Sequence, residues 1–373
     1  MKAVIYMIFD YLIVGAGLYG AVFAHKVTQQ GKTCLVVDKR PHIGGNVYTQ
    51  DIADITVHQY GAHIFHTDDE AIWNYINQFA DFNRYTNAPL ANYKNEIYNL
   101  PFNMNTFHQF WGVTNPADAE KIIENQRLKG IIPQNLEEQA LSLVGTDIYE
   151  KLIKGYTEKQ WGRDCKNLPP FIIKRLPVRF TYDNNYFNDR FQGIPIGGYT
   201  PIIKKMLASC EIQLNTDYFS AQNLLNTRAK KIIYTGMLDE FYGYRFGKLE
   251  YRSLRFKQEQ LNIPNFQGNA VINYTDKETP YTRIIEHKHF TFGTQPNTII
   301  SREYPTAYTQ GSEPYYPIND ATNNARYAQY HALAEKETNV IFGGRLADYQ
   351  YYDMWQVIKN ALSTATAELS TTR

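Results

Sequence analysis

The sequence has few cysteines, almost no net charge and no long apolar run. Only three of its 373 residues are cysteine (Cys34, Cys165 and Cys210), an odd and sparse set that argues against a disulfide framework and lacks metal-ligand spacing. Its 38 Lys and Arg against 37 Asp and Glu leave a net charge of +1, which does not predict capture of nucleic acid or anionic membrane. No segment reaches the roughly 20 apolar residues that span a bilayer. We therefore expect a protein of the reducing cytoplasm, with neither nucleic-acid binding nor membrane insertion.

Aromatic residues, by contrast, are abundant. They make up 14% of the chain, and 30 of them are tyrosine, a composition that excludes a largely disordered protein. The length predicts about two to three domains. The apolar start is interrupted by Asp10 and carries only Lys2 as a basic residue, so we do not interpret it as a signal peptide. Met7 is an alternative start, because the first motif begins after it.

A dinucleotide-binding fingerprint follows the first predicted strand. Residues 9–14 are apolar enough for a buried parallel strand, and Gly15, Gly17 and Gly20 come directly after it. A predicted helix and a second strand follow, and that strand ends in Asp38. In this context the glycines provide a tight turn, a close approach to a pyrophosphate and helix–strand packing, while the acid accepts from a ribose hydroxyl.

The residues after the acid favour FAD over a nicotinamide cofactor. Lys39 and the Gly44-Gly45-Asn46 turn resemble the second phosphate-contacting segment of glutathione-reductase-like FAD proteins, and Lys39, Gly45 and Asn46 become candidate cofactor contacts. His63 lies in a small-residue segment with His66, without a Cys or carboxylate at metal-ligand spacing. We expect His63 beside the flavin or packed as a structural histidine, and no metal site.

The rest of the chain divides into helical and strand-rich stretches. Asn115-Pro116 and Asn135 are helix N-terminal signals, and apolar residues recur every four positions from Ala140 to Tyr156. Three prolines within 167–177 predict a surface loop that carries Arg175. Strand signals fill 178–194 and 244–317.

These patterns predict an α/β fold: a Rossmann-like FAD-binding domain with a helical insert and an antiparallel sheet domain. The segments 231–236 and 340–345 are expected to return to the nucleotide domain. The predicted boundaries are 1–82, 195–243 and 318–373 for the FAD-binding domain, 102–165 for the helical domain, and 83–101, 166–194 and 244–317 for the sheet domain.

Later motifs resemble those of bacterial UDP-galactopyranose mutase, nearly from end to end. The segments that carry the resemblance are 15–20, 42–46, 61–67 (Gly-Ala-His-Ile-Phe-His-Thr), 155–157, 160–162, 251–253, 313–317, 344–345 and 351–354. The later motifs are specific to that family, whereas the glycine fingerprint is not.

The resemblance implies interconversion of UDP-galactopyranose and UDP-galactofuranose, which supplies precursors of cell-surface polysaccharide. Ring contraction then passes through a covalent adduct of the sugar anomeric carbon with N5 of reduced FAD, and the protein is expected to be a homodimer. Arg175 and Arg283 are implied to grip the substrate diphosphate, with His63 as a further catalytic residue.

The resemblance also implies further binding residues. Those implied for the substrate are Tyr156, Thr157, Trp161, Tyr186, Arg252, Tyr316 and Tyr351. Those implied for the cofactor are Arg345, Asp353 and Met354. Trp355 stands where the family pattern leads us to expect an acid, and we expect altered packing there rather than lost activity.

Two other functions share the N-terminal motifs. One is a flavin oxidoreductase of the amine-oxidase type, which has no need of paired arginines or a uridine pocket. The other is a non-catalytic binding protein on the same scaffold, as in GDP-dissociation inhibitors. The intact glycines and Asp38 argue against the second alternative.

Overall fold

A computed structural model describes residues 8–173 and 178–371 of the chain. Its strands are β1 Phe9–Val14, β2 Cys34–Val37, β3 Thr49–Ile52, β4 Ile55–His58, β5 Phe65–Thr67, β6 Leu90–Tyr93, β7 Glu96–Asn99, β8 Phe191–Gly193, β9 Glu211–Gln213, β10 Ala229–Tyr234, β11 Tyr251–Leu261, β12 Val271–Tyr274, β13 Arg283–Glu286, β14 Thr298–Ala307, β15 Tyr316–Pro317 and β16 Val340–Phe342. Its α-helices are α1 Leu18–Thr28, α2 Glu70–Ile76, α3 Met104–Trp111, α4 Pro116–Gln126, α5 Leu136–Val144, α6 Thr146–Ile148, α7 Gly155–Trp161, α8 Thr200–Met206, α9 Tyr218–Asn226, α10 Leu238–Phe241, α11 Ala321–Ala334 and α12 Met354–Thr371.

The first sheet is parallel and takes strands from three separate stretches of the chain. Its strand order is β16-β10-β1-β2-β9, and every pairing is parallel. All four residues of β2 are buried, as expected for a strand covered on both faces. Helices α1, α8 and α12 pack together against it. The predicted Rossmann-like fold is confirmed, and β10 and β16 return to this sheet as expected.

The second sheet has seven strands in the order β15-β11-β14-β13-β12-β6-β7. Its pairings are antiparallel except that of β6 with β12, which is parallel. The antiparallel sheet predicted for 83–101 and 244–317 is therefore present with one parallel pair. In 178–194 the structure contains one short strand, β8, which pairs with β5 in a separate two-stranded sheet.

The helical region differs from the predicted continuous helix over 135–156. Helix α5 ends at Val144. The next residue, Gly145, has a φ of 77° and a ψ of −177°, which interrupt the helical backbone hydrogen bonds. The chain then continues through α6 and a π-helical stretch, Tyr149–Lys154, into α7. The N-cap predictions are confirmed, because the Asn115 side chain accepts from Asp118 N and that of Asn135 from Glu138 N. This break positions α7 independently of α5.

In the part of the chain that the structure describes, no helix combines the length and the apolar character needed to cross a membrane. The exact domain boundaries proposed from the sequence stay a prediction.

Candidate active site

A cavity of about 590 Å³ extends from the carboxyl ends of the parallel strands to the seven-stranded sheet. Open α/β sheets generally bind ligands at this edge. We call the part lined by 14–20, 37–47 and 234–237 the dinucleotide end. We call the part lined by Tyr156, Tyr186, Arg283, Tyr316 and Tyr351 the sheet end.

Glycine backbone shapes the dinucleotide end. Gly15 has a φ of +113°, and a Cβ there would lie 2.1 Å from Thr235 Oγ1. A Cβ on Gly20 would lie 2.1 Å from the carbonyl oxygen of Gly15, so helix α1 starts against the preceding turn without room for a side chain. Gly45 approaches Gly17 so closely that a Cβ would lie 2.9 Å from its Cα. The two glycine segments therefore pack against each other and leave backbone to line the cavity.

Asp38 is held by backbone donors at the end of β2. Its Oδ2 accepts from Ala16 N at 2.8 Å, and its Oδ1 accepts from Arg40 N at 2.9 Å. A carboxylate has about four acceptor positions, so both oxygens can still accept a hydroxyl from a ligand in the cavity. The predicted contact with a ribose is compatible with this geometry.

Two basic residues, Lys39 and Arg40, follow the acid, and they differ in burial. The Lys39 side chain is 58% exposed, whereas that of Arg40 is 14% exposed. Arg40 Nη2 donates to Glu313 Oε2 at 2.5 Å and to Asn46 Oδ1 at 2.9 Å. Both basic residues line the cavity, and so does Glu313. The sequence does place a cation here, but only the structure shows which of the two neighbours is buried.

His63 lines the cavity between its two ends. Its Nδ1 lies 2.8 Å from the carbonyl oxygen of Gly61, so Nδ1 carries the proton and Nε2 keeps its lone pair. Burial lowers the pKa of His63 to about 4, with a contribution in the same direction from Arg345, and the Gly61 contact opposes it only in part. At neutral pH His63 is therefore an uncharged acceptor and not a general acid.

Arg283 is the half-buried cation of the sheet end, with its side chain 25% exposed. Its Nη2 donates to the Tyr156 hydroxyl at 2.5 Å, and its Nε lies 3.5 Å from Oε1 of Glu303, which is 2% exposed. Burial works against the charge, but the Glu303 carboxylate more than offsets this and holds the pKa of Arg283 well above its ordinary value. Arg283 is therefore a permanent cation with a fixed orientation.

Three tyrosines surround this cation. The ring of Tyr316 stacks on that of Tyr351 with centroids 5.7 Å apart, and Tyr186 lines the same end. The Arg345 guanidinium lies 4.7 Å from the centroid of the Tyr351 ring, and its Nη2 donates to the carbonyl oxygen of Tyr315 at 2.6 Å. The sheet end thus combines two arginines with phenolic groups, which suits a large polar anion.

Comparisons with known proteins agree with this geometry. The sequence model of the family "UDP-galactopyranose mutase" matches residues 151–351, and that of an NAD(P)-binding Rossmann-like domain matches residues 13–79. A probable UDP-galactopyranose mutase of Klebsiella pneumoniae is 42% identical over 366 residues, which cover 96% of this chain and 94% of that protein. The chain belongs to the UDP-galactopyranose mutase family.

Other relatives include proteins with different names. An Escherichia coli dTDP-fucopyranose mutase is 39% identical, with coverage of 95% of this chain and 97% of that protein. A crystal structure of reduced UDP-galactopyranose mutase has a TM-score of 0.73 at 14% identity and covers 98% of this chain and 94% of its own. A redesigned putrescine oxidase has a TM-score of 0.58 at 10% identity, with 98% and 99% covered, and shares the fold alone. The resemblance predicted from the motifs is confirmed, and the family is one of isomerases.

The start of α12 brings two further family residues to the cavity. Asp353 and Met354 line it next to Tyr352. Trp355, the departure from the expected pattern, packs against the hydrophobic core under the parallel sheet, and Lys359 Nζ lies 5.9 Å from its ring centroid. This position is compatible with the expectation that Trp355 alters the local packing.

Arg252 lies beside the large cavity, and its predicted substrate role stays a prediction. It does not line the large cavity in the described part of the chain but a neighbouring one of about 370 Å³, together with Trp161. Its Nε donates to the carbonyl oxygen of Gln160 at 2.9 Å, and its Nη2 lies 3.4 Å from that of Lys159. The physical reason is that carbonyls at a helix C-terminus lack intrahelical donors and attract a cation.

Two other predicted residues are not placed in the large cavity. Thr157 is buried on α7 and lines neither cavity among the described residues. Arg175 lies outside the described residues.

Several cavity residues were missed by the sequence analysis. Asn87, Asn273 and Leu254 line the sheet end, and Phe187 lies beside Tyr186. Asn87 is 7% exposed, and its Oδ1 has no hydrogen-bond partner in the part of the chain that is described. Asn87 lies two residues before Pro89 in a loop, which is too weak a signal to indicate a site from sequence.

Proposed function

We propose that the protein interconverts UDP-galactopyranose and UDP-galactofuranose with reduced FAD. The observation that carries the proposal is the fixed cation at the sheet end: Arg283, with Glu303 at its Nε and the Tyr156 hydroxyl at its Nη2, in one cavity with the glycine-built dinucleotide end. The dinucleotide end suits a dinucleotide, and the sheet end suits a nucleotide diphosphate.

The dinucleotide end fits FAD on structural grounds. The backbone of Gly17 approaches Gly45 so closely that a Cβ on Gly45 would collide with it, and α1 begins at this point. We assign the cofactor to Gly15, Gly17, Gly20, Asp38, Lys39, Gly45 and Asn46, with Arg40 beside Lys39 as a second basic residue. When bound, reduced FAD supplies an electron-rich nucleophile for the anomeric carbon.

The sheet end supports departure of the diphosphate. When the sugar–phosphate bond breaks, negative charge grows on the leaving phosphate oxygens. Arg283 is already charged and oriented, so it stabilises this charge without reorganisation. Tyr186, Tyr316 and Tyr351 have hydroxyls that can donate to phosphate oxygens, and Tyr156 has a ring suited to uracil. His63 Nε2 is an acceptor of low basicity, which orients a sugar hydroxyl rather than removing its proton.

The amine-oxidase alternative makes no use of the arrangement at the sheet end. An amine substrate carries no diphosphate for the oriented Arg283 to hold. The non-catalytic alternative remains a testable outcome, because it requires neither flavin nor turnover.

The test uses purified holoprotein under anaerobic conditions. We expect a yellow protein that converts UDP-galactofuranose into the pyranose form when dithionite is present and much less without it, measured by chromatography of the nucleotide sugars. A parallel arm with dTDP-fucopyranose checks the substrate named for the Escherichia coli relative. Faster turnover in that arm would redirect the assignment of the sugar, and a colourless protein that takes up no FAD would overturn both enzyme functions.

The proposal includes the biological setting implied by the family. We propose a cytoplasmic homodimer that supplies a precursor of cell-surface polysaccharide. Sedimentation of the holoprotein at micromolar concentration tests the dimer, and a monomer there would contradict it.

A further inference from the structure

Lys159 links helix α7 to the turn between β12 and β13. Its Nζ donates to the backbone oxygens of Tyr274 at 2.8 Å and of Thr279 and Tyr281 at 3.0 Å. Burial lowers the pKa of this ammonium to about 8, so it still carries its proton at pH 7. All three N–H donors are then used on backbone carbonyls.

Two contacts at its ends hold the same helix, in addition to an ion pair along it between Glu158 Oε2 and Lys277 Nζ of the turn, which are 3.5 Å apart. Gly155, the first residue of α7, packs so closely that a Cβ would lie 2.4 Å from the carbonyl oxygen of Thr275. At the other end, Arg252 donates to the carbonyl oxygen of Gln160. Helix α7 is therefore fixed at its start, along its length and at its end. Of the contacts made by Gly155, Lys159 and Arg252, only that of Lys159 joins α7 to both sides of the β12–β13 turn.

The residues that this link brings together are the central pair of the sheet end. Tyr156 lies on α7, three residues before Lys159. Arg283 lies two residues after Tyr281, whose carbonyl oxygen binds the Lys159 ammonium. The 2.5 Å contact between Arg283 Nη2 and the Tyr156 hydroxyl depends on the distance between α7 and this turn. Hydrogen bonds of charged donors weaken steeply when such a distance grows.

We propose that Lys159 is a positioning residue for nucleotide binding, because its three backbone contacts hold Tyr156 and Arg283 in the arrangement that receives the uridine diphosphate. Lys159 itself lies outside the lining of the large cavity. The inference rests on the proposed function, since it takes Tyr156 and Arg283 as nucleotide contacts.

The chain offers a matched control in Lys288. Its Nζ also donates to three backbone carbonyls, those of Pro264 at 2.7 Å, Gln295 at 2.5 Å and Asn297 at 3.0 Å. Lys288 is 2% exposed and does not line the cavity. Lys159→Met and Lys288→Met therefore remove the same kind of contact at two places, and only one of them joins residues of the sheet end.

The experiment measures UDP binding by calorimetry to FAD-loaded wild type, K159M and K288M at pH 7, with thermal midpoints for each. We expect K159M to bind UDP about tenfold more weakly or worse, since losing the orientation of one charged hydrogen bond costs at least that much. We expect K288M to lose thermal stability while its UDP affinity stays within about twofold of wild type. Lys159→Arg, which keeps a cation with several donors, should regain most of the affinity.

Unchanged UDP affinity in K159M overturns the proposal, and so does an equal loss of affinity in K288M, because that would show a general effect of destabilisation. If K159M does not retain flavin, Lys159→Gln replaces it: its shorter amide reaches fewer carbonyls, and wild-type affinity there also overturns the proposal. A wild type that fails to bind UDP overturns the proposed function itself, which separates the two failures.

Discussion

The two ends of the cavity differ in whether backbone or side chains form them. The dinucleotide end is shaped mainly by the backbone of two short segments, 15–20 and 44–46, in which a Cβ added at Gly15, Gly20 or Gly45 would collide with neighbouring atoms. The sheet end consists of side chains from distant segments, such as Tyr156, Arg283 and Tyr351. A backbone-built site tolerates almost no substitution, whereas a side-chain-built site can change its ligand without refolding. We therefore expect substitutions at the first end to affect occupancy and those at the second to affect turnover.

The largest effect is expected from Gly15→Ala. This residue needs a positive φ, and the new Cβ would meet Thr235 Oγ1, so the turn before α1 must shift. We expect a colourless protein, measured as flavin absorbance per protein after gel filtration with excess FAD.

Gly31→Ala is the matched control for that variant. Gly31 also has a positive φ, of +75°, but nothing lies within 4 Å of its Cβ position. It should cost about 1 kcal/mol of stability and keep its flavin. Equal flavin content in both variants would contradict the idea that close backbone approach, rather than backbone conformation alone, forms the dinucleotide end.

The second effect, at the opposite end, is that of Arg283→Ala. Loss of a preoriented cation aimed at a leaving group should lower kcat/KM by about 10²–10³-fold, because removing one such donor in other enzymes costs this much. Flavin absorbance should stay at the wild-type level, since Arg283 lies at the sheet end. The measurement is the dithionite-dependent conversion of UDP-galactofuranose.

Arg302→Ala serves as the control in the same sheet. Arg302 pairs with Ile284, next to Arg283, but its guanidinium donates to Glu259 at 2.6 Å and does not line the cavity. Wild-type turnover in R283A, or an equal loss in R302A, would show that the charge of the sheet end does not act on the diphosphate.

The same contrast explains what the sequence could predict. The dinucleotide end was predictable because its glycines and Asp38 lie within one short stretch, where spacing alone fixes their roles. The pair Tyr156 and Arg283 is 127 residues apart in sequence, and its contact arises only from the docking of α7 on the β12–β13 turn. Motif resemblance identified both residues, but no local pattern predicts that they touch. The same holds for Arg252, whose place depends on where α7 ends.

The errors in secondary structure have local causes. Residues 178–194 contain extended backbone, but side chains satisfy much of it in place of neighbouring strands. Asp183 accepts from the backbone N of Asn185, and Asn185 accepts from that of Phe187. Asn and Asp favour such turns over strand pairing. A stretch this rich in Asn and Asp should be read as a loop, even when aromatic residues suggest a strand.

The smallest effect concerns the region between the two ends of the cavity, where the half-buried His63 lies close to the buried His58 and His287. The backbone N of His63 donates to His58 Nδ1, and that of His58 to His287 Nδ1. Burial lowers the pKa of His63 to about 4, that of His287 to about 3 and that of His58 well below its ordinary value. All three are neutral in the folded protein at pH 5.5, whereas in the unfolded chain they take up protons below about pH 6.5.

Because the unfolded state binds more protons in this range, stability should fall as pH decreases from about 6.5 towards 4. Each histidine should cost about 1.4 kcal/mol at pH 5.5 relative to pH 8. The thermal midpoint of the holoprotein at the two pH values measures this loss. His287→Gln should reduce the difference, because it removes one of the histidines that burial keeps neutral. Equal thermal midpoints at both pH values would mean that these histidines are not held neutral. The role of His63 as an uncharged acceptor would then fail, whereas the roles of Gly15 and Arg283 would be unaffected.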